Sequence, residues 1–85
     1  MRTIHKYSIS MGGETVLSIP ENAEILGAGP DGHGSPSIWI LLNPEAPTVT
    51  KTFVIRGTGH VVENNLWFVK TFKQTPYIWH LFEKL

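Results

Sequence analysis

Apolar positions along this chain recur with a period of two, in short runs cut by glycine, proline and asparagine. No window sustains the i, i+3, i+4, i+7 apolar stripe of an amphipathic helix, and β-branched and aromatic residues fill the runs, which is the signature of strands. Residues 3–10 are half-polar and end at the turn Met11-Gly12-Gly13. Residues 15–19 alternate, with Thr15, Leu17 and Ile19 on one face, and Pro20-Glu21-Asn22 closes them. Residues 23–26 form a short apolar run that opens into a long glycine-rich loop over 27–36. Residues 37–42 are the most hydrophobic strand, and the segment Asn43-Pro44-Glu45-Ala46-Pro47 then interrupts regular structure. A further strand over 48–56 runs into the corner Gly57-Thr58-Gly59-His60, and strands over 66–72 and 77–83 finish the chain. The pattern predicts an all-β fold of six to seven short, mainly antiparallel strands forming a small sandwich or barrel, because short connections join antiparallel neighbours. Residues 1–85 read as a single small β-domain.

Several of these strands are apolar on both faces. Tyr77, Trp79 and Leu81 point one way and Ile78, His80 and Phe82 the other; Leu66, Phe68 and Phe72 oppose Trp67 and Val69; Ile38, Ile40 and Leu42 oppose Trp39 and Leu41. One core covers one face of an antiparallel sheet, and the other face normally turns polar. Either loops cover the second face, or it forms an oligomer interface or lines a ligand cleft. Tryptophan and tyrosine, which join apolar area to a polar handle, favour the second account.

Composition narrows the function classes. A chain of 85 residues without cysteine has neither disulfides nor thiolate metal sites to reinforce a small core. Self-association is the expected compensation, so a homo-oligomer is anticipated. Seven Lys/Arg balance seven Asp/Glu, and the cations are scattered singly. A DNA or RNA binder needs a clustered basic excess, so neither is an expected partner. No run approaches the roughly 18 apolar residues of a membrane span, and no signal-like segment opens the chain, so a soluble protein of the cytoplasm is expected, with no membrane partner.

Motifs of catalysis and cofactor binding fail on inspection. Gly27-Ala28-Gly29-Pro30-Asp31-Gly32 spells a dinucleotide fingerprint, but a strand follows where a phosphate-binding helix is required, and Pro30 lacks a needed donor. The same segment has Walker-A spacing with His33 in place of the lysine. His5, His33, His60 and His80 show no metal-ligand spacing, so no metal and no cofactor are expected. His80 reads as a satisfied, half-buried side chain between Trp79 and Leu81. No nucleophile elbow and no paired carboxylates stand out, so the protein is not expected to be an enzyme.

What remains is a binding constellation around the corner. Gly57, Thr58 and Gly59 offer N–H groups and a hydroxyl, Arg56 and His60 flank them, and Trp39 or Trp79 supplies a ring. Such parts suit a ligand with a phosphate and a planar base: amides and arginine hold the phosphate, histidine adds a hydrogen bond, and indole stacks on the base. The same parts suit a plain hairpin corner beside an aromatic core.

The order Ile4-His5-Lys6-Tyr7, Ala23-Glu24-Ile25-Leu26, Trp39-Ile40-Leu41, Pro44-Glu45-Ala46-Pro47, Phe53-Val54-Ile55-Arg56-Gly57-Thr58-Gly59-His60 and Trp79-His80-Leu81-Phe82-Glu83 resembles a family of small uncharacterised proteins of bacteriophages and prophages. The Gly57–His60 corner and the terminal W-H-L-F-E block are the most specific parts of the likeness, which spans nearly the whole chain. It carries over no site residues, and the segment over 27–35 is longer than the family pattern. The phage setting implies host cytoplasm as the place of action. It also implies, by analogy of context, a sponge for nucleotide-derived immune signals of the cyclic nucleotide or cyclic ADP-ribose type. A module that binds a host defence protein or a virion component through an exposed aromatic face is the alternative.

Overall fold

A computed structural model describes residues 1–85 and contains seven strands: β1 (Thr3–Ser8), β2 (Glu14–Pro20), β3 (Glu24–Pro30), β4 (Pro36–Leu42), β5 (Thr48–Gly57), β6 (Leu66–Gln74) and β7 (Tyr77–Lys84). They form a three-stranded sheet in the order β1-β4-β3 and a four-stranded sheet in the order β2-β5-β7-β6. Every pairing is antiparallel. The two sheets face one another as a small sandwich, which is the all-β architecture the alternation predicts. No helix is long and apolar enough to cross a membrane.

The core lies between the sheets. Ile38, Ile40 and Leu42 of β4 are fully buried and meet Ile19, Phe53, Ile55, Phe72 and Leu81 from the opposite sheet. Burying such side chains contributes about 1.5–3 kcal/mol each. Trp39, one position out of phase, therefore lies on the outer side of the three-stranded sheet, between Lys6 of β1 and Gly27 of β3.

Two stretches differ from the expectation. The long loop over 27–36 is mostly strand: Gly27, Ala28 and Gly29 pair with Trp39, Ile38 and Ser37 after an irregularity at Leu26. Ladder hydrogen bonds to β4 offset the poor strand propensity of glycine there. The remaining turn, residues 31–35, is organised by Asp31, whose carboxylate accepts from Lys6 Nζ at 2.8 Å, His33 N–H at 2.8 Å and Ser35 N–H at 3.0 Å.

The second difference concerns β6. Its pairing with β7 shifts by one residue between Phe68 and Lys70. A bulge reverses the inside/outside alternation of a strand. Phe68 and Phe72, expected on one face, are thereby separated: Phe72 is buried in the core and Phe68 is 61% exposed on the outside. Phe68 stands edge-on to Phe82, with ring centroids 6.0 Å apart, and Phe82 and Val54 form a small buried cluster on the outer face of the four-stranded sheet.

Candidate functional site

The site grows from the end of β5. Gly57, its last residue, pairs directly with Trp79 of β7. The chain then reverses, with His60 N–H donating to the Gly57 carbonyl at 3.1 Å. Gly59, at φ 91°, occupies the third turn position, where a type II turn demands a positive φ. The imidazole of His60 folds back over the start of its own turn, and Gly57 N–H donates to His60 Nδ1 at 3.0 Å. A Cβ on Gly57 would lie 2.8 Å from His60 Cε1, so only glycine leaves room for the ring. With Nδ1 accepting, the neutral imidazole carries its proton on Nε2, which has no protein partner.

Three rings meet beside this turn. Trp79, half-buried, stands edge-on to His60 (centroids 6.4 Å apart, 70° between planes) and to Tyr77 (6.1 Å, 85°). Its Nε1–H donates to the Gln74 carbonyl at 3.4 Å, which fixes the indole. Thr58 Oγ1 lies 3.3 Å from the Ile78 carbonyl and 2.9 Å from His80 Nε2, while His80 Nδ1 lies 2.9 Å from Thr71 Oγ1. His80 is thus satisfied on both nitrogens and ties β6, β7 and the turn together. Between these parts lies a half-open cleft of about 260 Å³ lined by Gly57, Thr58, His60, Tyr77, Ile78 and Trp79.

Of the residues expected to act together, the fold brings Gly57, Thr58, His60 and Trp79 into the cleft wall. Gly59 shapes the turn without lining the cleft. Arg56 alternates to the outer face, where it pairs with His80 in register and donates to Glu63 Oε2 at 2.8 Å and to its neighbour's carbonyl, Ile55 O, at 3.2 Å. The guanidinium holds the Glu63 carboxyl below its ordinary range, mainly through that hydrogen bond. Trp39 sits on the other sheet, away from the corner. Tyr77 and Ile78 were not foreseen as wall residues: only the β5–β7 pairing, remote in sequence, brings them alongside the turn. No group of three or more His, Asp or Glu side chains gathers to hold a metal. Two other depressions, of about 320 and 360 Å³, offer one aromatic ring and none respectively.

A two-sheet β-protein with a ring-walled cleft beside a glycine corner is the class that fold and site define. The chain belongs to the family described as Domain of unknown function (DUF7352), which it matches over residues 1–85. No curated protein and no solved structure matches it.

Proposed function

We propose that this protein is a non-enzymatic binding protein of phage type that captures a nucleotide-derived signal in the cleft at Gly57–His60 and holds it out of circulation. The observation that carries the reading is the three-ring corner of His60, Tyr77 and Trp79. Each of the two edge-on contacts occupies at most one face of one ring, so other faces remain for a planar guest. The Thr58 N–H, which has no backbone partner, and the free Nε2–H of His60 add hydrogen-bonding groups at the same wall. Aromatic stacking on a base is worth about 1–3 kcal/mol. The Thr58 hydroxyl at the wall is engaged by the Ile78 carbonyl and His80, and the six wall residues include no carboxylate, which suits retention of the ligand rather than its turnover. Self-association belongs to the same proposal, because a chain of 85 residues without disulfides has a thin stability margin.

The test mixes purified protein with a panel of cyclic and linear nucleotide signals. The free fraction is removed, the protein is heat-denatured, and the released compounds are identified by mass spectrometry. Recovery of one intact compound is expected. Release of a converted product would replace the sponge with an enzyme, and recovery of nothing would overturn the reading.

A second reading rests on the outer face of the four-stranded sheet, where Phe68 is 61% and Ile78 43% exposed, and on Trp67, 62% exposed on β6. These residues favour a module that docks on a host defence protein or virion component. A pull-down recovering one such partner from wild type, and losing it with a folded Phe68→Asp variant, would support that reading.

A further inference from the structure

Which half of a nucleotide the cleft recognises follows from where its polar groups are already committed. Phosphate capture by a glycine corner requires free, convergent amides and an unpaired cation. Here the Gly57 amide is spent on His60 Nδ1 and the His60 amide on the Gly57 carbonyl; of the two amides left without a partner, Thr58 and Gly59, only Thr58 belongs to the cleft wall, so no convergent set of amides faces it. The neighbouring cation, Arg56, is turned to the outer face and bound to Glu63 at 2.8 Å. No lysine or arginine lines the cleft.

What the wall does present is suited to an uncharged, flat guest. His60, Tyr77 and Trp79 supply π-faces, Ile78 supplies an apolar edge, and His60 Nε2–H is a donor held in place by the bond at its other nitrogen. A donor fixed beside a stacking surface matches a ring nitrogen or carbonyl on the edge of a heterocycle. At about 260 Å³ the cleft falls below the usual range for whole ligands, so it takes one ring system; pockets for complete small molecules run to roughly 300–1,000 Å³.

We infer that the cleft reads a nucleobase, by stacking and by a hydrogen bond from His60 Nε2–H, and that phosphate contributes little to affinity. The inference rests on the nucleotide reading of this same site and names the part of the ligand that carries recognition.

Equilibrium dialysis of the protein tests it, using the nucleosides adenosine, guanosine, cytidine and uridine, their 5′-monophosphates, and one cyclic dinucleotide. For the preferred base, nucleoside and monophosphate are expected to bind within about threefold of each other, with affinity nearly flat as salt rises, because no ion pair to phosphate is there to be screened. His60→Ala is expected to weaken binding about tenfold or more, whereas Arg56→Ala should leave it within about twofold, tenfold being worth about 1.4 kcal/mol. Trp79→Phe, which keeps an aromatic in the wall, should bind within about threefold of wild type; circular dichroism checks the fold of each variant. If the monophosphate or the cyclic dinucleotide binds while the nucleoside does not, or if Arg56→Ala abolishes binding, phosphate is what is held and the inference falls while the nucleotide reading survives. If none of the compounds binds, both fall.

Discussion

Gly57 and His60 form a pair in which each accounts for the other. The histidine ring covers the glycine and satisfies its amide; the glycine lacks the Cβ that would push the ring away. Gly57→Ala should displace the imidazole and strand a buried amide, costing about 1–2 kcal/mol, and His60→Ala should cost about 1 kcal/mol. Because both changes break the same bond, the double variant should cost less than the sum of the singles; urea denaturation of all three measures this. An additive result would mean that the two residues act independently. Asp31 sets a second residue-scale expectation. Hydrogen bonds, that from Lys6 foremost and then those from the Ser35 and His33 amides, push its pKa far below the ordinary 3.8. A depressed carboxylate stabilises the fold at pH values above its unfolded-state pKa, and that contribution is lost as pH falls through the folded one. Wild type should therefore exceed Asp31→Asn in Tm by a constant margin above about pH 5, with the margin shrinking below about pH 4. A margin that widens on acidification would contradict this account.

Among the elements, β4 and β6 show opposite degrees of legibility. Strand β4 alternates without interruption, so Ile38, Ile40 and Leu42 were readable as one face, and all three are buried. Truncating the middle one, Ile40→Ala, should cost about 2–5 kcal/mol in urea denaturation, since a fully buried isoleucine leaves a cavity. Strand β6 carries the same residue types but holds a bulge, and nothing local in Leu66-Trp67-Phe68-Val69-Lys70 marks where one residue drops out of register. The alternation therefore misassigned Phe72 relative to Phe68. Deleting Val69 should restore an unbroken ladder, with Phe68 still outside and Phe72 still inside. The cost should be only about 1 kcal/mol for the lost half-buried side chain. Outright loss of folding, read by circular dichroism, would show that the bulge itself is required. The 27–36 segment was misread for a related reason: glycine spells loop locally, and only the β4 partner supplies the bonds that make it strand.

At the scale of the whole molecule, charge is balanced and placed at the surface. Its ion pairs, Lys6–Asp31, Lys51–Glu83, Arg56–Glu63 and Lys84–Glu14, are all partly solvated. Such pairs contribute about 0–1 kcal/mol each and are screened by salt. Tm should therefore change little between about 0.05 and 0.5 M sodium chloride, as scanning calorimetry can check. A large drop would mean that electrostatics carry more of the stability than packing does. The all-β class was legible at this scale because alternation and turn residues are local signals. The division into two sheets was not, since it depends on which strands meet. The glycine corner was legible as a candidate, and so were Thr58, His60 and Trp79. The orientation of Arg56 and the arrival of Tyr77 and Ile78 were decided by pairings more than 20 residues apart in sequence.

That connectivity bears on how the chain acquires its shape. Strand β1 has its only ladder with β4, and β2 has its only ladder with β5. Sheet partners close in sequence occur only in the β3–β4 and β6–β7 hairpins. Distant pairings must close large loops before contacts reward them, and such topologies fold in milliseconds to seconds. During synthesis β1 and β2 are made before β4 and β5, so neither has its ladder partner until the middle of the chain follows. Strands β1 and β2, made before the strands they pair with, are thus among the last to be ordered.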